Sequence, residues 1–462
     1  IVYGLMFSTL ISMFVLPTFY YLVELRHRGT HPSPVPKGSF PGVGHSERRR
    51  TTQGPLALLL LLFVVCSKAP AQNTGCVPAQ ELTFQEYLAR VGRSNLSYLA
   101  ERMNIDIAEA EVVAQKVLPD PELEFEAANE TFTLGLGYSL ELGNKRGARV
   151  KLARSMAEYE KLSLEAYFQE LRAESADLFL EAILQRELLS VKLDSYEYMR
   201  QLSTSDSLRY RSGEITENDL RQSRLEASAL LNDVYEQQAA YKSALAVLNQ
   251  YMGLTTDTLH TPVGSWDSLD RDFVLADLLK AGFENRIDLR ASEKGIEVST
   301  NEYRLTRAER RPDIGLSLSY ERDWNGFLPP SRSVTGGVSI PLSFSNTNKG
   351  AIRAAKLRIR QSDIRKKDMA LQVQTEISQA WYNFEAEKKK VNQYKTGMLE
   401  ESQKVLDGMV YRYRRGESSI VDVLIAQRTH NDVRQQYLET MKGYAAALVE
   451  LEKACGTWDI EF

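Results

Sequence analysis

Two very long stretches without proline constrain the fold more than any other feature of the sequence. Residues 145–211 and 349–414 contain no Pro and are rich in Ala, Leu, Glu, Lys, Arg and Gln, which all favour helices. At 1.5 Å per residue, a helix of about 65 residues would be roughly 100 Å long. A compact globular domain has no use for that length, so the sequence predicts an elongated helical assembly.

The apolar residues of the first long stretch follow the seam of a coiled coil. From Leu164 to Tyr196 they recur in steps of four and three, but the seam admits polar residues such as Ser175, Gln185 and Lys192. A helix that packs between two neighbours in a wall, with one side wet, would tolerate this mixture. A soluble spectrin-like bundle or scaffold would also fit, so the helices alone leave both interpretations open.

An internal repeat organises the chain. The segment RYRSGE at residues 209–214 returns as RYRRGE at residues 412–417, and matching positions continue without a gap at the same offset of 203 residues. Such agreement in one register indicates a duplication. Each half is predicted to contain a helical stretch, two strands, a very long helical stretch, a Gly-Glu break and a last helix. The predicted helical stretches are 82–117, 145–211 and 216–252 in the first half, and 272–309, 349–414 and 418–455 in the second.

Four short segments alternate between apolar residues and small or polar ones. They are residues 123–127, 131–142, 314–321 and 334–344. Alternation over about ten residues is typical of the strands of a membrane β-barrel, although a sheet packed on a soluble core shows it too. Barrels that cross a membrane need at least about eight strands, and lipid does not tolerate open strand edges. Three copies would supply twelve strands, so closure predicts a trimer.

The predicted fold class is therefore mainly α with a transmembrane β-barrel. Four strands from each of three protomers would form a twelve-stranded barrel, continued by a long α-helical coiled-coil barrel.

The first 71 residues have the features of membrane-targeting segments. Residues 1–23 carry no charge and are long enough to cross a bilayer, which takes about 20 residues. Residues 24–54 are interpreted as a linker. Residues 55–71 combine an apolar core with an Ala-x-Ala ending and are interpreted as a signal-peptide-like segment. The alternatives are a buried helix for the first segment and an uncleaved signal-anchor for the last; lipidation at Cys66 or Cys76 stays open. The remainder is expected to be exported.

Charge and residue types exclude several classes of function. The chain has a net charge of −4, and the part beyond residue 71 has a net charge of −9, with 50 Lys and Arg against 59 Asp and Glu, which argues against a nucleic-acid partner. Three of the five His lie in the predicted linker. The sequence contains no nucleophile with a nearby base, no phosphate-binding Gly loop and no metal-ligand spacing. We therefore expect no enzymatic activity, no cofactor and no bound metal.

The duplicated plan resembles a known family. The order of elements, with an Arg-Tyr-x-x-Gly-Glu turn before an Asp-hydrophobic pair, resembles TolC-type outer-membrane efflux proteins, closest to the heavy-metal (CusC/CzcC-like) branch. The resemblance covers residues 80–256 as a first repeat and 272–458 as a second. Residues 4–24 are similar to the last transmembrane helix of resistance-nodulation-division (RND) pumps of the CusA/CzcA type, which would make this chain the tail of a pump–duct fusion.

The resemblance implies a function and its partners. A homotrimer in outer-membrane lipid, extended into the periplasm, would passively conduct substrates that an RND pump and a periplasmic adaptor deliver. Heavy-metal cations are the expected substrates. A duct for drugs or for type I protein secretion is the alternative, and a soluble periplasmic coiled-coil scaffold is a further one.

The resemblance also suggests functional residues around the repeated turn. Gly213 and Gly416 would lie at the periplasmic tip. Asp219 and Asp422 would form acidic rings that favour cations, and Tyr413 would help to close this gate through links with Arg412 and Asp422. The candidate adaptor-docking residues are Arg209, Arg211, Glu214, Arg412, Arg414 and Glu417. Alternatively, the Asp side chains cap helices and the other charges are solvated. A second acidic gate residue is absent, because Ile425 occupies its position.

Overall fold

A computed structural model describes residues 81–256, 259–264, 271–324, 331–342 and 347–460. The chain divides into two units, Ile1–Thr74 and Gly75–Phe462, and all the described residues belong to the second. The predicted membrane span, linker and signal-like segment within residues 1–71 lie outside the described residues, as does Cys76. Those interpretations stay predictions.

The first half of the described chain contains two short helices, a hairpin and two long helices. Thr83 and Asn95 cap the two short helices with their side-chain oxygens. The elements are β1 (Glu81–Thr83), α1 (Phe84–Ser94), α2 (Leu96–Ala114), β2 (Glu122–Ala127), β3 (Thr131–Leu140), α3 (Lys145–Arg211) and α4 (Glu217–Tyr251).

The second half repeats this order. Its first strand pairs in parallel with β1 of the first half. The elements are β4 (Thr261–Val263), α5 (Leu275–Asn285), α6 (Ile287–Ala308), β5 (Ile314–Asp323), β6 (Ser331–Ser339), α7 (Lys349–Gln393), a π-helical segment (Tyr394–Met398), α8 (Leu399–Arg414) and α9 (Ile420–Cys455).

The two long stretches differ in one respect. The first is a single α-helix of 67 residues, as the sequence predicts. The second is interrupted by the π-helical segment, where Gly397 has a φ of 153° that side chains rarely adopt. The corresponding residue of the first half is Asp194, which lies inside the unbroken helix α3. The long helices of the two halves are therefore not equivalent.

Four strands form one antiparallel sheet in the order β2-β3-β5-β6. The two hairpins join through β3 and β5, so the sheet combines both halves of the repeat. Its register places Leu134 opposite both Phe125 and Tyr320, which in turn faces Val334. These apolar residues therefore share one face, and Phe125 and Val334 are 67% and 71% exposed.

The opposite face of the sheet carries small and polar residues. Gly135 lies opposite Glu124 and Ser319, while Gly337 lies opposite Ser317. A Cβ added at Gly337 would come within 2.5 Å of Ser317 Oγ, so the side chain of Ser317 leaves little room for a side chain at this position. The predicted alternation is confirmed. The predicted strand 334–344 is too long at its end, because β6 stops at Ser339, shortly before Pro341, which has no N–H to donate.

Beside the sheet, the helices form a wall in the order α2-α3-α6-α7. The wall and the sheet have the same order, since α2 adjoins β2 and α7 follows β6. None of the described helices is long and apolar enough to cross a membrane.

The main hydrophobic core lies along the middle of α3, where α1, α4, α5, α7 and α9 gather. Phe84 and Tyr87 pack against Phe179, while Phe384 stacks on Tyr444. The same core buries the Glu452 carboxyl group. Burial and a hydrogen bond shared with Asp459 raise the pKa of Glu452 to about 8. A second, smaller core joins α3, α8 and α9 close to the repeated turns.

Candidate functional site: the paired helix turns

The repeated Gly-Glu segments form two turns with the same backbone geometry. In the first, Gly213 N–H donates to Tyr210 O at 3.0 Å and Glu214 N–H donates to Arg209 O at 2.9 Å. Residues 412–417 form the same two bonds at the same distances. This Schellman arrangement needs a left-handed residue after the helix, and Gly213 and Gly416 have φ values of 80° and 74°. The predicted reversal at the two glycines is confirmed.

Each turn leads into a helix that begins with a capping box. Asp219 N–H donates to Thr216 Oγ1, and Thr216 N–H donates back to Asp219 Oδ2 at 3.1 Å. Ser419 and Asp422 repeat the arrangement, with Ser419 N–H donating to Asp422 Oδ2 at 2.9 Å. The two aspartates therefore occupy the third helical position, whereas Thr216 and Ser419 are the N-cap residues. The alternative of Asp as the N-cap is corrected accordingly.

The two capping aspartates differ in exposure. Asp422 is exposed and Asp219 is partly buried. Hydrogen bonds from the Ser419 backbone and side chain, with the nearby charge of Arg412, lower the pKa of Asp422. Asp422 is therefore a fixed negative charge at neutral pH.

The two halves are linked near these turns by a buried carboxylate. Tyr413 on α8 donates its hydroxyl to Asp206 Oδ1 on α3 at 2.9 Å, and both side chains are buried. Arg209 lies 3.9 Å from the same carboxylate oxygen and 4.8 Å from the Tyr413 ring. Burial raises the pKa of Asp206, while the hydrogen bonds from Tyr413 and Ser223 oppose that shift. This cluster holds α8 against α3.

The predicted link among Arg412, Tyr413 and Asp422 stays a prediction for the assembled gate, and the charge of Arg412 does act on Asp422 within one chain. Within the described residues of one chain, Tyr413 binds Asp206 instead of Asp422. The repeat does not reproduce this bond, because Met409 corresponds to Asp206 in the second half. Tyr210, the counterpart of Tyr413, is 42% exposed, whereas Tyr413 is 4% exposed. The site is therefore asymmetric although its backbone is repeated.

The remaining candidate residues lie around the two turns. Glu214 pairs with Arg209 at 3.3 Å, and Glu417 pairs with Arg415 at 3.3 Å. Arg211, Arg412 and Arg414 are exposed. The structure thus brings the predicted docking residues together on one surface, and their role in docking stays a prediction.

Asp206 was not among the predicted site residues, although the sequence contains a signal for it. The seam of α3 continues in steps of three and four from Tyr196 to Met199, Ser203 and Asp206. A carboxylate at a seam position must find a partner when it is buried. That partner, Tyr413, lies 207 residues away, and the sequence alone does not reveal it.

The carboxylates of this site do not gather as metal ligands. Among the residues that the structure describes, no group of three or more His, Cys, Asp or Glu is arranged to hold a metal ion.

Comparison with known proteins relates this chain to a family. The model of the family described as "Outer membrane efflux protein" matches residues 278–457. The cobalt-zinc-cadmium resistance protein CzcC of Cupriavidus metallidurans is 23% identical over 416 residues, which are 86% of this chain and 98% of that protein. The crystal structure of CusC aligns with a TM-score of 0.67 at 16% identity, covering 82% of this chain and 93% of that one.

Residues 278–457 match the outer membrane efflux protein family, and the chain as a whole is similar to CzcC and CusC. VceC of Vibrio cholerae has the same fold, with a TM-score of 0.63 at 15% identity over 81% of this chain and 96% of that one. The fold of this efflux protein is accordingly a β-barrel continued by an α-helical barrel, and its location is the outer membrane with a periplasmic extension. The family comprises efflux ducts rather than enzymes, and its members are trimeric channels that work with RND pumps and adaptors.

The bond between Tyr413 and Asp206 yields a test in this efflux protein. The substitution Tyr413→Phe removes the hydroxyl and leaves a buried carboxylate without its donor, so local opening of α8 should become easier by about 1.5–3 kcal/mol. Amide hydrogen exchange over residues 399–414 measures this change. The control Tyr210→Phe alters the exposed counterpart and should shift protection by less than about 0.5 kcal/mol. Equal protection of α8 in both variants would show that the bond does not hold it.

Proposed function

We propose that three copies of this chain form the outer-membrane duct of a tripartite efflux system, which passes divalent heavy-metal cations from an RND pump and a periplasmic adaptor to the exterior. The duct itself is passive, and the pump supplies the energy. The single observation that carries the proposal is the four-stranded sheet, which exposes a whole apolar face and has two unpaired edges, β2 and β6.

The sheet supports both insertion into lipid and closure by other copies. An apolar face of this extent is unfavourable in water and suits a bilayer. Unpaired N–H and C=O groups at a strand edge cannot be satisfied inside lipid. Strands β2 and β6 run in opposite directions, so pairing β6 of one copy with β2 of the next continues the antiparallel order. Three copies then close a barrel of twelve strands.

The free edges of the helical wall support the same assembly. On α7, Leu357, Ile364 and Leu371 recur every seven residues, and the latter two are 65% and 64% exposed. On α2 at the other end of the wall, Leu96 and Met103 are also exposed seven residues apart. A heptad stripe is typical of a helix that packs on a partner helix. Ring closure would bring α7 of one copy against α2 of the next, as a head-to-tail contact that closes.

The substrate class follows from charge and similarity. The chain is acidic, and three copies of Asp422 would place a ring of carboxylates at the tip, which favours cations over anions. The similarity to CzcC supports metal cations, because that protein is named for cobalt, zinc and cadmium resistance.

A second candidate substrate is a siderophore. The pyoverdine export outer membrane protein OpmQ of Pseudomonas putida is 20% identical over 406 residues, covering 80% of this chain and 84% of that protein. A drug efflux or type I secretion duct would have the same architecture. A soluble scaffold fits less well, because it would leave the apolar face of the sheet in water.

The tip is the proposed gate and docking surface. In one chain, the bond from Tyr413 to Asp206 holds α8 against α3, while Asp219 and Asp422 stiffen the first turns of α4 and α9. An adaptor that binds the charged turns, through residues such as Arg211, would pull α8 and α9 outward. Opening would then break the Tyr413–Asp206 bond, a link between residues of the same protomer.

The assembly and the metal function can be tested together with one substitution on the free edge of α7. Leu371→Glu places a charge in the proposed contact, so the heat-modifiable trimer on gels should be lost. Cells that depend on this duct should then lose their resistance to cobalt, zinc and cadmium. Gln361→Glu adds the same charge at an exposed polar position of α7 and should preserve both. An intact trimer and normal metal resistance in Leu371→Glu would contradict the proposal. If the variant lost siderophore export but kept its metal resistance, the second candidate would be favoured.

The gate assignment predicts a change in conductance. Asp422→Asn removes the charge but keeps an oxygen that can accept the capping hydrogen bonds. The acidic ring then loses its links to Arg412, so single-channel conductance in planar bilayers should rise by roughly two-fold or more. Ser419→Ala breaks the capping box without changing the charge, at a cost of about 1 kcal/mol, and should leave conductance nearly unchanged. An unchanged conductance in Asp422→Asn would refute the gate, and an equal rise in both variants would assign the effect to the cap.

A further inference from the structure

Three helix ends next to the sheet are strongly basic. The start of α3, the end of α6 with the residues after it, and the start of α7 all adjoin strands of the sheet. Residues 145–154, 304–311 and 349–358 together contain thirteen Lys or Arg and a single acidic residue, Glu309. At 1.5 Å per residue, all these side chains start within about 15 Å of the sheet along the helices. We name this set of Lys and Arg the basic collar.

Most of the collar is exposed and unpaired. Three of its members form ion pairs: Lys145 with Asp313 at 2.7 Å, Arg149 with Glu141, and Arg358 with Glu302. The other ten are exposed and form no ion pair within the described residues. They are Arg146, Lys151, Arg154, Arg304, Arg307, Arg310, Arg311, Lys349, Arg353 and Lys356.

Acidic residues of the same chain do not balance this charge. The end of α2 lies beside the start of α3 and carries Asp106, Glu109 and Glu111. Glu109 already pairs with Lys161 at 2.7 Å, below the collar. Even if Asp106 and Glu111 faced the collar together with Asp120, Glu122 and Glu309, the ten unpaired cations would exceed these five carboxylates two-fold. The chain as a whole is acidic, so this local excess is opposite in sign to the average.

We propose that the basic collar binds the headgroups of anionic phospholipids in the bilayer leaflet next to the helices. This inference rests on the proposed function, which embeds the sheet in the membrane. The collar begins where the apolar face of the sheet ends, which is the depth of the phosphate groups of that leaflet. Clusters of Lys and Arg directly beside a membrane-embedded segment attract anionic lipid, and their long side chains can reach the interface. Three copies would surround the barrel with about thirty unpaired cations.

The opposite orientation, with the collar facing the lumen, conflicts with the proposed substrates. A ring of cations inside the duct would raise an electrostatic barrier to metal ions. The headgroup assignment avoids this barrier, because the charge then lies on the outer surface of the duct. The two orientations differ in ion selectivity, which can be measured.

The experiment compares the full protein in nanodiscs of phosphatidylcholine and in nanodiscs that contain phosphatidylglycerol. We expect the Tm of the wild-type trimer to rise by roughly 5 °C in the anionic bilayer. The collar variant should lose most of this increment, whereas the control variant, altered at equally exposed and unpaired positions far from the sheet, should keep it. The collar variant combines Arg146→Gln, Lys151→Gln, Arg310→Gln and Arg353→Gln. The control variant combines Lys242→Gln, Lys280→Gln, Lys389→Gln and Lys395→Gln.

The outcomes distinguish a failure of the collar from a failure of the proposed duct. Equal Tm values of the wild type in both bilayers would overturn the inference, although insertion itself would still support the proposed duct. A change of cation selectivity in the collar variant, with the lipid increment retained, would also overturn it and place the charges in the lumen. An increment reproduced by inorganic phosphate in neutral nanodiscs would show a general anion site and not a lipid site. Failure to insert into either bilayer would instead contradict the proposed function.

Discussion

The unpaired edges of one four-stranded sheet determine the rest of this protein's architecture. An isolated chain exposes the backbone of β2 and β6, together with an apolar face that includes Phe125 and Val334. Exposure of the apolar face is unfavourable in water. Exposure of the unpaired backbone groups of β2 and β6 is unfavourable in lipid. Closure by further copies satisfies both requirements at once, and the antiparallel order of the strands allows it. Members of the outer membrane efflux protein family, which residues 278–457 match, are trimeric channels.

The helices follow from the same closure. Because the wall α2-α3-α6-α7 has the order of the sheet, its ends would meet a neighbouring copy in the proposed trimer wherever the sheet does. This explains why α7 exposes apolar residues at heptad spacing, such as Ile364 and Leu371, which would be costly on a helix that stayed alone. Away from the sheet, the two halves are held together by the main hydrophobic core and, close to the turns, by the buried bond from Tyr413 to Asp206. A duct that must open needs contacts of this kind, which are local and can be broken singly.

Much of the fold could be predicted from the sequence, because it rests on patterns within short segments. The alternation of apolar with small or polar residues predicted the strands, and Gly213 and Gly416 predicted the turns. Strands and turns of this kind depend on residues that are close in the chain. Three features could not be predicted. The pairing of β3 with β5 joins two hairpins of similar pattern, and the bond of Tyr413 joins residues 207 positions apart. The π-helical segment at Gly397 depends on one glycine in a sequence that otherwise favours a regular helix.

In the proposed barrel, β6 of one copy pairs with β2 of the next until three copies close. Cysteines introduced by Leu123→Cys on β2 and Val338→Cys on β6 test it, since both lie on the apolar face towards the same end of the sheet. Oxidation of the membrane-inserted double variant should give covalent dimers and trimers on a denaturing gel, ending at the trimer, while neither single variant forms trimers. A ladder that continues beyond three copies, or the absence of cross-links between inserted chains, would contradict the closed twelve-stranded barrel.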